Sequence, residues 1–279
     1  MRQSGRLTDQ HKISHGAIGI FGDEAKRHDS QVAKNAWCAL LRLREKYPNL
    51  EFRHRKSISK EEISQALRKI DGSLGQTIFV PNAKISPDGG IIEVKDDAGA
   101  WRVILVSEAK HQGKDIENIK SGKLVGKNGD QDLMVAGNAI ERAHKNIFEI
   151  ANFMLAESHF PYVLFLEGAN FLTETISVQR PDGRTVILDC HSGALNRLDR
   201  LTAANYGMKI NANLCKNKFI EHGDHMVMLQ AASIFTQGLG DSWSDAAMLD
   251  IMLDIADTSI KVMASDLFDQ LTSGSRQGR

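Results

Sequence analysis

The sequence predicts an α/β protein with a mixed β-sheet flanked by helices. Three observations carry this reading. Short strand-length runs rich in β-branched residues alternate with longer segments of helical spacing, hydrophobic residues make up 42% of the chain against 25% charged, and the five prolines fall at element borders. No internal repeat or low-complexity block interrupts the 279 residues, so a single domain over 1–279 is expected, with a mobile arm over 1–13 and a disordered tail over 273–279.

Residues 14–46 carry helical periodicity through Ile18, Phe21, Val32, Trp37, Leu40 and Leu41, and break at Tyr47-Pro48, because proline disfavours helix in the residue before it. A second helix starts at Ser59, where Ser59 and Glu62 have capping-box spacing and Ile63, Ala66, Leu67 and Ile70 mark one face. Strand signals follow at Thr77–Val80, Gly90–Val94 and Trp101–Ser107, the last two joined by the turn Asp96-Asp97-Ala98-Gly99, which reads as a β-meander. A polar, glycine-bearing stretch runs from Gln112 to Asp132, and helical spacing resumes over 138–156. Pro161 ends that helix and Tyr162–Leu166 reads as a buried strand. Thr175–Gln179 and Thr185–Leu188 flank Pro181-Asp182-Gly183 as a hairpin; a short helix near 195–205, a strand near 226–234 and a helix over about 244–271 complete the pattern.

Lys plus Arg and Asp plus Glu each number 35, so no global charge drives indiscriminate binding to nucleic acid, and any polyanion must be met locally. Local charge exists: residues 1–60 hold 13 Lys/Arg against 6 Asp/Glu, whereas 241–279 hold 7 Asp against 3 Lys/Arg. Cys38, Cys190 and Cys215 form no CxxC pair, which argues against a disulfide framework or zinc ribbon and fits a reducing compartment. The polar start and the shortness of apolar runs such as Phe160–Leu166 lead us to expect a cytoplasmic protein, neither secreted nor embedded in a membrane.

The chemistry concentrates at Pro87-Asp88 and, after nineteen intervening residues, Glu108-Ala109-Lys110 at the end of a strand. Strand side chains alternate, so Glu108 and Lys110 share a face. Two carboxylates and an amine then suit metal-assisted phosphodiester hydrolysis, with Asp88 and Glu108 as hard oxygen ligands for Mg²⁺, the Ala109 carbonyl as a further ligand, and Lys110 near the attacking water. Two other Glu-x-Lys triplets, Glu24-Ala25-Lys26 and Glu93-Val94-Lys95, have poorer geometry relative to an Asp-bearing turn. Spacing alone leaves open an exposed strand end beside a turn acid.

Asp130 to Arg142 forms an extended run feeding a helix, in which small residues permit close backbone approach and Asn138 and Arg142 carry groups that read purine edges. The alternative is that Asn138 caps the helix and Arg142 pairs with an acid. Arg197 and Arg200, three apart, share a helix face and suit bidentate contact with guanine, or else a solvated basic face. His11, His15, His111 and His144 make no zinc pattern and read as surface or supporting groups, and no GxxxxGK[ST] loop points to ATP.

Taken together, EVKDD (93–97), EAKHQGKDI (108–116), GDQDLM (129–134), AGNAIER (136–142), ESHFPYVLFLEG (157–168), NRLDRLTAANYGM (196–208) and LQAASI (229–234) resemble the EcoRI/RsrI family of type II restriction endonucleases over nearly the whole chain, Arg6 to Thr272. The resemblance implies a PD-(D/E)xK fold and a homodimer that cuts double-stranded GAATTC after the G with Mg²⁺, leaving 5′-phosphate and 3′-hydroxyl ends with 5′ overhangs. It implies that Asp88, Glu108 and Lys110 are catalytic, and that Met134, Val135, Ala136, Gly137, Asn138 and Ala139 lie along the major groove. Asn138 and Arg142 then meet adenines, Glu141 orients arginines, Arg197 and Arg200 serve the guanine region, and His111 to Lys114 border the scissile phosphate. Val135 stands where the family carries alanine and adds two methyl groups beside pyrimidine edges. A host carrying such an activity needs an adenine-N6 DNA methyltransferase to protect its own sites. The rival from another class is a DNA-binding regulator without hydrolysis; the intact Asp, Glu and Lys argue against it.

Overall fold

The computed structural model describes residues 23–75, 83–122, 137–157, 159–189, 217–222, 225–230 and 232–267. A five-stranded mixed sheet, ordered β1-β4-β5-β6-β11, forms its centre. The strands are β1 (Phe52–Arg55), β4 (Gly90–Lys95), β5 (Trp101–His111), β6 (Tyr162–Glu167) and β11 (Ser233–Thr236). The β1–β4 and β4–β5 pairs are antiparallel, while β5–β6 and β6–β11 are parallel. Strand β6 is buried at every residue because helices cover both faces of a parallel centre, which is why it reads as an unbroken apolar run.

Helix α1 (Asp23–Lys46) and helix α5 (Asp245–Val262) pack on one face through Val32, Leu40, Leu43, Met252 and Ile255, against Val163 and Phe165 of β6. Helix α2 (Lys60–Ile70) and helix α4 (Gly137–Phe153) cover the other through Ile63, Ile147 and Ile150, against Tyr162, Leu164 and Leu166. Truncating a side chain such as Leu40 to alanine costs about 2–5 kcal/mol at sites of this kind. Helix α2 begins at the expected capping box: Glu62 N–H donates to Ser59 Oγ at 3.2 Å and Ser59 N–H to Glu62 Oε2 at 2.9 Å. Helix α5 has Ser244 as its N-cap, where the sequence places its start.

Several expectations are corrected. The strand that pairs with β4 on its outer side is β1, missed because its FRHR sequence has one apolar residue. The polar stretch after Gln112 contains a helix, α3 (Asp115–Lys120), whose Ile116 and Ile119 are buried under the antiparallel pair β7 (Ile176–Gln179) and β8 (Thr185–Leu188). The single strand near 226–234 is two: β10 (His225–Gln230) pairs with β9 (Asn217–His222), whereas β11 joins the main sheet. A small pair, β2 (Ile58–Ser59) with β3 (Lys84–Ile85), precedes the turn carrying Asp88. The segments 14–22, 77–80, 195–205, the arm and the tail lie outside the described residues. No described helix is long and apolar enough to cross a membrane.

Candidate active site

The site arises from a mismatch in strand length. The β4–β5 ladder ends at the pair Gly90↔Ser107, while β5 continues to His111 with β6 alongside. Beyond the ladder's end, the turn Pro87–Gly90 brings Asp88 alongside the overshooting segment, and the Asp88 carboxylate accepts the Ala109 N–H at 3.0 Å. The alternation of β5 puts Glu108 and Lys110 on one face, as the sequence predicts, and that face is the one toward α4.

Three oxygens converge on the Lys110 ammonium. Nζ lies 3.3 Å from Asp88 Oδ2 and 2.7 Å from the Ala109 carbonyl, and it contacts Glu108 Oε1 directly. These are the oxygens expected to hold a metal, and an ammonium group already stands among them as a cation. Glu108 is buried, and its Oε2 has no hydrogen-bond partner. An orphaned buried carboxylate oxygen next to a second carboxylate and a carbonyl fits a hard divalent cation, which takes one or two carboxylates and fills its remaining positions with water or phosphate. The two carboxylates fall short of a full cage; among the described residues no group of three or more His, Cys, Asp or Glu is arranged around a metal position.

Burial pushes the Glu108 pKa up, and Asp88 adds to this while Lys110 opposes it. Burial works against the charged Lys110, yet the combined attraction of Glu108 and Asp88 wins and its pKa is raised, so the group is held protonated. The other two triplets are spent on ion pairs. Glu93 is buried against Arg53 at 2.6 Å and Arg55 at 3.2 Å, and Glu24 meets Lys114 at 2.7 Å. Competing structural uses therefore separate Glu108 from its look-alikes.

Supporting residues escaped the sequence reading. Asn146 of α4 donates to Glu108 Oε1 at 2.9 Å; its only signal is an amide beside the apolar stripe of Ala143, Ile147 and Ile150. Tyr162 is fully buried on β6, opposite Val106 and one pair short of the level of Glu108 on the same face, and burial followed by the Glu108 charge raises its pKa well above that of an ordinary phenol. Asp29 of α1 feels Asp88: burial, then that neighbouring charge, raises its pKa. Of the two readings open for it, His111 takes the supporting one: the residue is half-buried with its side chain 5% accessible, and it faces Glu167, which also accepts from Trp243 N–H at 3.1 Å and pairs with Arg27.

Helix α4 begins at Gly137, so Asn138 sits inside its first turn rather than at the cap position, and Ala139, Glu141 and Arg142 follow along it. Arg142 is exposed. The side chains of Gly137 to Glu141 lie outside the described residues, as do Met134, Val135, Ala136, Arg197 and Arg200.

The family profile described as "Restriction endonuclease EcoRI" matches residues 14–270. This chain belongs to the EcoRI restriction endonuclease family. It is 66% identical to "Type II restriction enzyme EcoRI" of Escherichia coli over 272 residues, 98% of each chain. It is 48% identical to "Type II restriction enzyme RsrI" of Cereibacter sphaeroides over 265 residues, 95% of each. The mixed sheet with helices on both faces is the restriction-endonuclease fold, and the chain is a type II restriction endonuclease acting on double-stranded DNA. Within this EcoRI-family fold, Asp88, Glu108 and Lys110 meet at the one place where β5 outruns its antiparallel neighbour.

Proposed function

We propose that the chain hydrolyses double-stranded DNA at GAATTC, cutting after the G to leave 5′-phosphate and 3′-hydroxyl ends with 5′ overhangs, in a Mg²⁺-dependent reaction. The observation that carries this reading is the convergence of Asp88, Glu108 and the Ala109 carbonyl on one cationic point, in a chain 66% identical to EcoRI. Bound there, a divalent cation supplies positive charge at the scissile phosphate and acidifies water. Asp88 and Glu108 hold it, and the backbone of β5 fixes the Ala109 carbonyl beside them. Lys110 donates hydrogen bonds and opposes the negative charge that builds on the phosphate. Asn146 restrains the Glu108 carboxylate from the side of α4.

Sequence reading is assigned to Met134–Ala139 along the major groove, Asn138 and Arg142 at adenines with Glu141 orienting arginines, and Arg197 and Arg200 at guanine. A palindromic site presents two equivalent halves, which a two-fold symmetric homodimer matches. The cellular counterpart is an adenine-N6 methyltransferase. The test is incubation with a plasmid bearing one GAATTC site and Mg²⁺, followed by sequencing of the ends. Single cuts after G support the reading; intact plasmid, or ends at unrelated sequences, overturn it. Sedimentation showing only monomers, both free and on DNA, removes the homodimer.

A further inference from the structure

Asp88 is the most exposed of the three site residues, with its side chain 28% accessible, and it stands on a turn rather than in a strand. Its position therefore depends on what holds Pro87–Gly90. From β5, the Ser107 carbonyl accepts the Gly89 N–H at 2.9 Å, and within the turn Gly90 N–H donates to Pro87 O at 3.0 Å. The Gly89 carbonyl, at the tip of the turn, accepts from His54 Nε2 at 2.9 Å on the β1 side. A carbonyl only accepts, so Nε2 carries the proton.

His54 lies on the edge strand β1 and is itself braced: the Trp37 ring of α1 meets it edge-on, with centroids 6.0 Å apart. The fit is close. Gly90 has φ +75°, and a Cβ there would fall 2.6 Å from both His54 Nε2 and the Arg55 carbonyl; a Cβ on Gly89 would fall 2.0 Å from Ser107 Oγ. The two glycines let the turn pass between β5 and the imidazole with no space to spare.

We infer that His54 is a positioning residue for Asp88, holding the turn from the sheet edge so that the carboxylate stays aimed at Ala109, Lys110 and the cation position. This rests on the reading of Asp88 as a cation ligand. Among the described residues His54 makes no hydrogen bond or ion pair with the carboxylates or Lys110, so its effect passes through the backbone of Gly89.

The test compares full-length His54→Phe, which keeps a ring against Trp37 but has no donor, with His54→Gln, whose amide reaches about as far as Nε2. Readouts are the Ca²⁺ concentration that tightens binding to a GAATTC duplex without cleavage, the single-turnover cleavage rate in Mg²⁺, metal-free DNA affinity, and thermal unfolding. For His54→Phe we expect the Ca²⁺ midpoint to rise and the cleavage rate to fall, each about five- to tenfold, the equivalent of one lost hydrogen bond. Metal-free DNA affinity stays at the wild-type value, and His54→Gln recovers most of both losses. Wild-type metal response and rate in His54→Phe overturn the inference, as does a loss that His54→Gln fails to recover. If His54→Phe does not fold, His54→Asn, whose amide stops short of the carbonyl, takes its place with the same expectations. Asp88→Ala is the control: wild-type cleavage in it overturns the reading of the site itself, whatever His54 does.

Discussion

The Asp88 carboxylate closes the open end of the β4–β5 ladder by accepting the Ala109 N–H at 3.0 Å. Past Ser107, β5 has no β4 backbone to pair with, and an unmet buried N–H there would cost about 1–3 kcal/mol. One residue thus completes the sheet and brings its charge to Glu108 and Lys110. Both of its hydrogen bonds among the described residues fall on Oδ2.

Glu108→Gln keeps the shape of the side chain and removes its charge. Cleavage in Mg²⁺ should be abolished while binding to GAATTC in Ca²⁺ stays measurable. A gel-shift and a single-turnover assay on the same duplex check this, and turnover retained in the variant refutes the role given to Glu108.

Asn146→Ala removes the amide that holds Glu108 Oε1 at 2.9 Å. The expected loss is about five- to tenfold in cleavage rate, the scale of one hydrogen bond to a charged group. Asn146→Asp places a second negative charge on the same oxygen and should be the worse of the two. Rates at saturating DNA, measured across Mg²⁺ concentrations, decide the order.

Arg200→Ala, and likewise Arg197→Ala, should weaken binding to GAATTC by about 1–3 kcal/mol and relax discrimination at the outer base pair. Competition binding with outer-pair variants is the measurement. Equal loss on every sequence would mean that these arginines meet phosphate alone.

N6-methylation of the inner adenine takes one donor hydrogen from the edge assigned to Asn138 and Arg142, and leaves a buried partner unmet at about 1–3 kcal/mol. Cleavage should fall more than binding, because the scissile phosphate is also misplaced. Two duplexes differing only in that methyl group, assayed in Ca²⁺ and in Mg²⁺, test it; equal cutting counts against adenine readout.

Stability should fall between about pH 6.5 and 4 on account of His111. Burial, opposed by Glu167, lowers its pKa to about 4 in the folded chain. The unfolded chain takes up a proton near pH 6.5 that the folded one refuses, so stability is full above that value and drops by about 1.4 kcal/mol per pH unit below it. Urea unfolding of His111→Gln should show a shallower slope over that window than the wild type.

Local signals carried much of this protein. The break at Tyr47-Pro48, the Ser59–Glu62 capping box and the buried run Tyr162–Leu166 each rest on a few adjacent residues, and each element stands where those residues place it. The Asp88, Glu108 and Lys110 set was also visible, because strand alternation is local and the identity of long strings to the EcoRI family raised it above two similar triplets. The sequence by itself determined which residue types were available and that Glu108 and Lys110 share one face of β5. Only the tertiary structure decided that β5 outruns β4 and leaves Ala109 N–H for Asp88, that Asn146 and Tyr162 close around Glu108, and that His54 meets Gly89 across the sheet edge. Those contacts join residues 21 to 54 positions apart, and no period along the chain encodes them: they follow from how strands of unequal length align once both faces of the sheet have been covered.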